Sequence, residues 1–141
     1  MQYKQTDSTY IIKIEPGERV VETITEFCKE HEIQNASFTG IGAVKELTCG
    51  YYELSEKKYY FTDYDTMVEV LSLTGNVILK DGEPFVHVHG VFSGTDNKAF
   101  GGHIQKMTVG VTLEMVLRAY ATDLERELDE EIGLFLIQCG S

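Results

Sequence analysis

The chemistry this chain could do is concentrated in its histidines. Three of the four, His87, His89 and His103, lie close together in the sequence. One residue separates His87 from His89, so on a strand both side chains leave the same face, with Cα atoms roughly 6.6 Å apart. Imidazoles so placed can converge on one divalent ion, at about 2.0–2.1 Å per bond for zinc. His103 follows Gly101-Gly102, and a hairpin from Phe85 to Ile104 returns it to the pair. Three neutral imidazoles with one open coordination position describe a catalytic or ligand-exchanging Zn²⁺ site, whereas structural sites are usually closed by four ligands. An HxH pair on a strand also suits a hydrogen-bonded polar face, and spacing alone leaves both readings open. Gly90, Gly101 and Gly102 favour the first, because glycines admit close approach of a ligand or of another backbone.

A carboxylate near such an ion could act as general base on its bound water. Glu83 and Glu114 are the candidates, with Glu114 on the polar face of its strand beside Thr112. In a chain this acidic, a surface carboxylate is the plainer reading for both. Nucleophilic catalysis finds little support. Ser72 and Ser93 lie in no nucleophile-elbow motif, and Cys28, Cys49 and Cys139 form no CxxC pair. Gly40-Ile41-Gly42 is not a dinucleotide fingerprint, since no third glycine follows at the required spacing.

The elements that must position the histidines are mostly strands. Tyr10–Ile14 reads as a strand stopped by Pro16-Gly17. A helix is expected over residues 18–32, with Val20, Ile24, Phe27, Cys28 and His31 at spacings of three and four on one buried face. Ser37–Val44, Glu46–Leu54, Lys57–Tyr64 and Val68–Leu79 read as extended segments. Asp81-Gly82 is a hairpin turn signal before the Phe85–Phe92 strand. A turn at Gly94–Asn97 leads to Ala99–Ile104. Met107, Val109, Val111, Leu113, Met115 and Leu117 form an unbroken period-two apolar row, which marks a half-buried strand rather than a helix. Leu124–Glu131 is acidic and reads as a short helix or turn, and Leu134–Ile137 as a closing strand. The sum is an α+β architecture over one domain, residues 1–141, with a mainly antiparallel sheet and one main covering helix.

Composition narrows the function classes. The chain carries 12 basic and 23 acidic residues, a net charge of -11. Duplex DNA repels such a surface, and the basic residues are scattered with no polybasic arm. No apolar run is long enough to span a membrane, the first ten residues lack the apolar core of a secretion signal, and the three cysteines are unpaired. These point to a cytoplasmic setting with reduced thiols.

Several segments together resemble one family. Asp81-Gly82-Glu83-Pro84-Phe85-Val86-His87-Val88-His89-Gly90 and Ala99-Phe100-Gly101-Gly102-His103 are the most distinctive. Phe38–Val44, Gly50-Tyr51-Tyr52 and Leu71–Asn76 complete the set in the right order. The chain resembles the PPC (plants and prokaryotes conserved) domain family, in its freestanding prokaryotic form. That resemblance implies a compact fold on an antiparallel sheet, assembly as a homotrimer, and a metal site at His87, His89 and His103. Plant members add a basic AT-hook that grips AT-rich DNA. No Arg-Gly-Arg-Pro hook occurs here, and Thr66-Met67-Val68 stands before Glu69 where the plant interaction segment has glycine-arginine-phenylalanine.

Two functions follow as expectations. One is a homotrimeric module whose three-histidine site holds zinc or a similar divalent ion and binds a small ligand. The other is a DNA-binding or transcription-related oligomerisation module, as the family label suggests, although tight DNA binding by this chain alone is not expected.

Overall fold

The alternating apolar runs become the framework of the molecule. The computed structural model describes residues 1–140. In chain order its elements are β1 (Gln2–Thr6), β2 (Thr9–Ile14), α1 (Val20–Glu30), β3 (Asn35–Glu53), β4 (Lys58–Tyr64), β5 (Val68–Lys80), β6 (Glu83–Ser93), β7 (Ala99–Tyr120), β8 (Glu125–Asp129) and β9 (Leu134–Gln138). The pairings are antiparallel except for a parallel bridge between Leu79 of β5 and Glu125 of β8. β3 pairs with both β5 and β7, and β6 pairs with both of them as well, so β3, β5, β6 and β7 close into a ring. β2 extends the sheet from β7, β4 from β3, and the β8–β9 hairpin from β5.

The helix is shorter than its sequence pattern suggests. It buries Val20, Ile24, Phe27 and Cys28 against β6 and β7. Each large apolar side chain fully removed from water there contributes about 1.5–3 kcal/mol. Phe38, Leu73, Phe92 and Leu113 from the ring strands join Ile24 and Phe27 in one core. Glu18 precedes the helix: its carboxylate accepts the Glu15 N–H at 2.6 Å and pairs with the N-terminal amine at 2.8 Å. Glu22 is the acidic residue of the first turn and Lys29 the basic one of the last, matching the macrodipole.

Three expectations need correction. Ser37–Val44 and Glu46–Leu54 are one strand, β3, and Ala99–Ile104 runs on through Met107–Leu117 as one strand, β7. Register shifts between Gly40 and Gly42 and between Ala43 and Thr48 take up the curvature, so each chain bends without ending. β1, with every residue exposed, is an additional edge strand paired to β2. Leu124–Glu131 is neither helix nor simple turn. β8 occupies most of it, with Arg126 turned inward while Glu125 and Glu127 face solvent.

Candidate metal centre

Two tight turns set the register that assembles the histidines. Asp81 and Gly82 both adopt left-handed backbone angles, φ 53° and 78°, as a two-residue hairpin turn of the primed type requires. β6 thereby returns along β5 with His87 opposite Asn76 and His89 opposite Thr74. The next reversal places His103 of β7 directly opposite His89, and on its other side His103 faces Gly50 of β3. The glycines serve this crossing. A Cβ on Gly102 would lie 2.4 Å from the Gly50 carbonyl oxygen, and one on Gly101 2.2 Å from that of Gly90. Of the two roles open to these glycines, close approach of another backbone is the one the structure displays.

The rings form a nearly equilateral triangle, with centroids 5.1 Å apart for His87–His89, 5.2 Å for His87–His103 and 5.3 Å for His89–His103. One ring nitrogen from each lies within 4.8 Å of the other two. The Nε2 atoms of His87 and His89 are 3.2 Å apart. Two nitrogens bound tetrahedrally at about 2.0–2.1 Å would stand about 3.3 Å apart, so this spacing fits a shared zinc-like ion. It is also a hydrogen-bonding distance. Nδ1 of His103 is buried with no hydrogen-bond partner among the described residues. Buried nitrogens of this kind are normally satisfied by a protein group, an ordered water or an ion.

Burial favours the neutral form of two of these rings, His103 and His87. The pKa of His103 is pushed down to about 4, first by burial and then by His87 and His89. His87 is lowered by burial, then by the Arg126 charge and by His89. Neutral imidazole is the form that ligates a metal. His103 stacks on Tyr59 at 4.7 Å between centroids. Beside the triangle opens a cavity of about 180 Å³, lined among others by Tyr59, Phe85, His87, His103, Arg126 and Phe135.

Arg126 is a residue that sequence reasoning missed. Its side chain comes from β8, is only 6% exposed, and donates from one terminal nitrogen to the Phe135 carbonyl at 3.0 Å and from the other to Asn76 Oδ1 at 2.7 Å. The available signal was parity: Arg126 is the only basic residue after Arg118, and alternation sets it opposite in facing to its two glutamate neighbours.

The carboxylate candidates do not join the triangle. Glu114 lies eleven positions beyond His103 on β7, on the order of 35 Å along a strand, opposite Lys13 and Ile41. Within one chain Glu114 thus stands apart from the triangle, since strand parity gives a face but not a position along it. Glu83 is held by Lys29 at 2.8 Å. Cys28 and Cys49 are core residues, and burial pushes the Cys28 thiol up to about 12 and raises that of Cys49. No helix among the described residues is long and apolar enough to cross a membrane.

Residues 1–121 match the Plants and Prokaryotes Conserved domain, also abbreviated PCC. The chain belongs to this family. The β8–β9 hairpin with Arg126 lies beyond the matched residues of the PPC domain. Among solved structures, the chain is similar to a plant- and prokaryote-conserved (PPC) protein of Pyrococcus horikoshii, with 32% identity and a TM-score of 0.88 over 99% of this chain and 96% of that one. It is similar to a metal-containing protein of Archaeoglobus fulgidus, with 34% identity and a TM-score of 0.85 over 96% and 97% of the two chains. A protein of Bacteroides thetaiotaomicron, provisionally named DNA-binding, shares 28% identity with a TM-score of 0.93 over 97% and 96%. No curated protein matches the sequence.

Proposed function

We propose that His87, His89 and His103 hold one divalent ion, zinc or a similar metal, and that this centre binds a small molecule in the adjoining cavity of a homotrimeric PPC protein. The observation that carries this reading is the imidazole triangle, with two Nε2 atoms 3.2 Å apart. The neutral state favoured by burial and the buried Nδ1 of His103 support it. So does the archaeal relative named as metal-containing. Three protein ligands would leave a position for a carbonyl or carboxylate oxygen, and a bound ion would act there as a Lewis acid. The test is metal analysis of protein purified without an affinity tag, beside a His87→Ala variant. One ion per chain in the wild type and a marked loss in the variant are expected. A wild type that takes up no ion from added zinc, or equal occupancy when all three histidines are alanine, overturns the reading.

A second reading, a DNA-binding or regulatory module, is favoured by the name of the Bacteroides relative. The net charge of -11 and the missing hook weigh against it. A salt-sensitive shift of an AT-rich duplex at submicromolar protein would decide in its favour.

A further inference from the structure

We propose that Arg126 is the anchor for a carboxylate on the small molecule, holding one end of the ligand while its other end faces the imidazole triangle. The second anchor rests on the metal reading above; the first does not. Arg126 is 6% exposed, and among the described residues no carboxylate lies within ion-pair distance of it, although the chain has 23 acidic residues. Its two bonded acceptors, the Phe135 carbonyl and the Asn76 side-chain oxygen, are neutral. Its Nε is buried with no partner among the described residues. A buried guanidinium is costly without an anion, and a fold this acidic had many to supply.

The cation lines the same cavity of about 180 Å³ as His87 and His103. Apart from Tyr59, the remaining wall is apolar, with Phe85, Phe135 and Leu136 prominent. The Lys80 ammonium lies over the Phe135 ring, 3.8 Å from its centroid, and does not line the cavity. One guanidinium against apolar walls suits a single carboxylate better than a phosphate dianion, which would need further cations. The cavity is open on one side, and at about 30 Å³ for each water-sized group the part of a ligand seated within it is roughly six non-hydrogen atoms. The ligand class is therefore a short monocarboxylate whose α-oxygen can reach the metal, such as a 2-hydroxy or 2-oxo acid.

The competing role for Arg126 is to fasten the β8–β9 hairpin to β5 through its two hydrogen bonds. That role does not depend on the charge of a ligand, so charge is the variable to change. Zinc-loaded full-length protein is titrated calorimetrically with 2-hydroxybutyrate, with its neutral amide, and with acetohydroxamate, which has no carboxylate, is uncharged as the free acid and chelates zinc through its own two oxygens. Wild type should prefer the acid to the amide by about tenfold or more, the effect of one charge-assisted hydrogen bond. Arg126→Gln should lose that preference while zinc content and acetohydroxamate affinity stay unchanged. No preference in wild type, or a preference that survives in Arg126→Gln, overturns the proposal and leaves the metal reading standing. If neither zinc nor acetohydroxamate binds, the metal reading fails, and butyrate is tested on the metal-free protein. Thermal protection by butyrate that is lost in Arg126→Gln upholds the carboxylate anchor alone; no protection of the wild type overturns it. Should Arg126→Gln fail to fold, a crystal of wild type soaked in 2-hydroxybutyrate decides, by whether the carboxylate sits against Arg126 or elsewhere.

Discussion

His103 lies between the Tyr59 ring and the His87–His89 pair, and burial there pushes its pKa down to about 4, with the neighbouring imidazoles adding to the effect. In an unfolded chain a histidine titrates near 6.5. Between about 6.5 and about 4 the unfolded chain takes up a proton that the folded one refuses, so the metal-free fold loses stability as pH falls through that window. His87, lowered by burial and then by Arg126 and His89, shifts in the same direction. An opposing effect operates over the same range, because the net charge of -11 shrinks on acidification and self-repulsion relaxes. Wild type alone therefore confounds the two. Urea unfolding of metal-free wild type and His103→Asn at about pH 7.5 and about pH 5 separates them. The wild type should lose stability relative to the variant on acidification; parallel changes in both would show that the His103 proton is not the cause. In zinc-loaded protein, protons compete with the ion for the same nitrogens, so a chelating dye should report release as pH falls.

At the scale of elements, the site depends on how closely β6, β7 and β3 can cross. Gly102→Ala should destabilise the protein by about 1–3 kcal/mol or more, because its Cβ would meet a backbone oxygen of β3 that cannot move independently of its strand. Gly94 sits in the turn between β6 and β7, and a Cβ added there would meet no atom within 4 Å. Gly94→Ala should therefore change stability by no more than about 0.5 kcal/mol. Chemical denaturation of the two variants checks the contrast, and equal losses would mean that the crossing is not under steric control. Much of this geometry is legible in the sequence. Period two places His87 and His89 on one face, Asp81-Gly82 sets their hairpin, and the apolar row from Met107 to Leu117 marks its strand. What was not legible has physical causes. The break expected between Val44 and Glu46 is a run of register shifts against β7 within β3, with Glu46 at a φ of 52°, and the residue types there do not announce it. β1 is an all-exposed edge strand with no alternation to read. β8 was hidden because its inward position holds an arginine, and a charge at a core position erases the pattern that apolar residues would show.

At the scale of the whole molecule, one sheet face exposes a row of apolar side chains. Ile11, Ile41, Leu71 and Val116 are 55%, 59%, 51% and 42% exposed, and together they line one shallow depression with Glu114 at its side. They come from β2, β3, β5 and β7, which are adjacent in the sheet order β2-β7-β3-β5. Single exposed apolar residues are ordinary, but a contiguous set marks a contact surface. Resemblance to the PPC family implies that the contact is a homotrimer, and light scattering should give about three times the chain mass. Each chain carries a charge of -11, so in the proposed trimer like-charge repulsion would oppose assembly and apolar burial would drive it. Salt shortens the screening length from about 10 Å at 0.1 M to about 3 Å at 1 M, and should therefore strengthen the trimer rather than dissociate it. Leu71→Glu places a carboxylate at the β5 end of the apolar set and should shift the mass toward monomer at micromolar concentration. A wild-type monomer mass that does not change with concentration would sink the trimer. Trimer mass unaffected by Leu71→Glu would instead move the contact to another face. Salt-induced dissociation would mean that ion pairs, not apolar burial, hold the chains together.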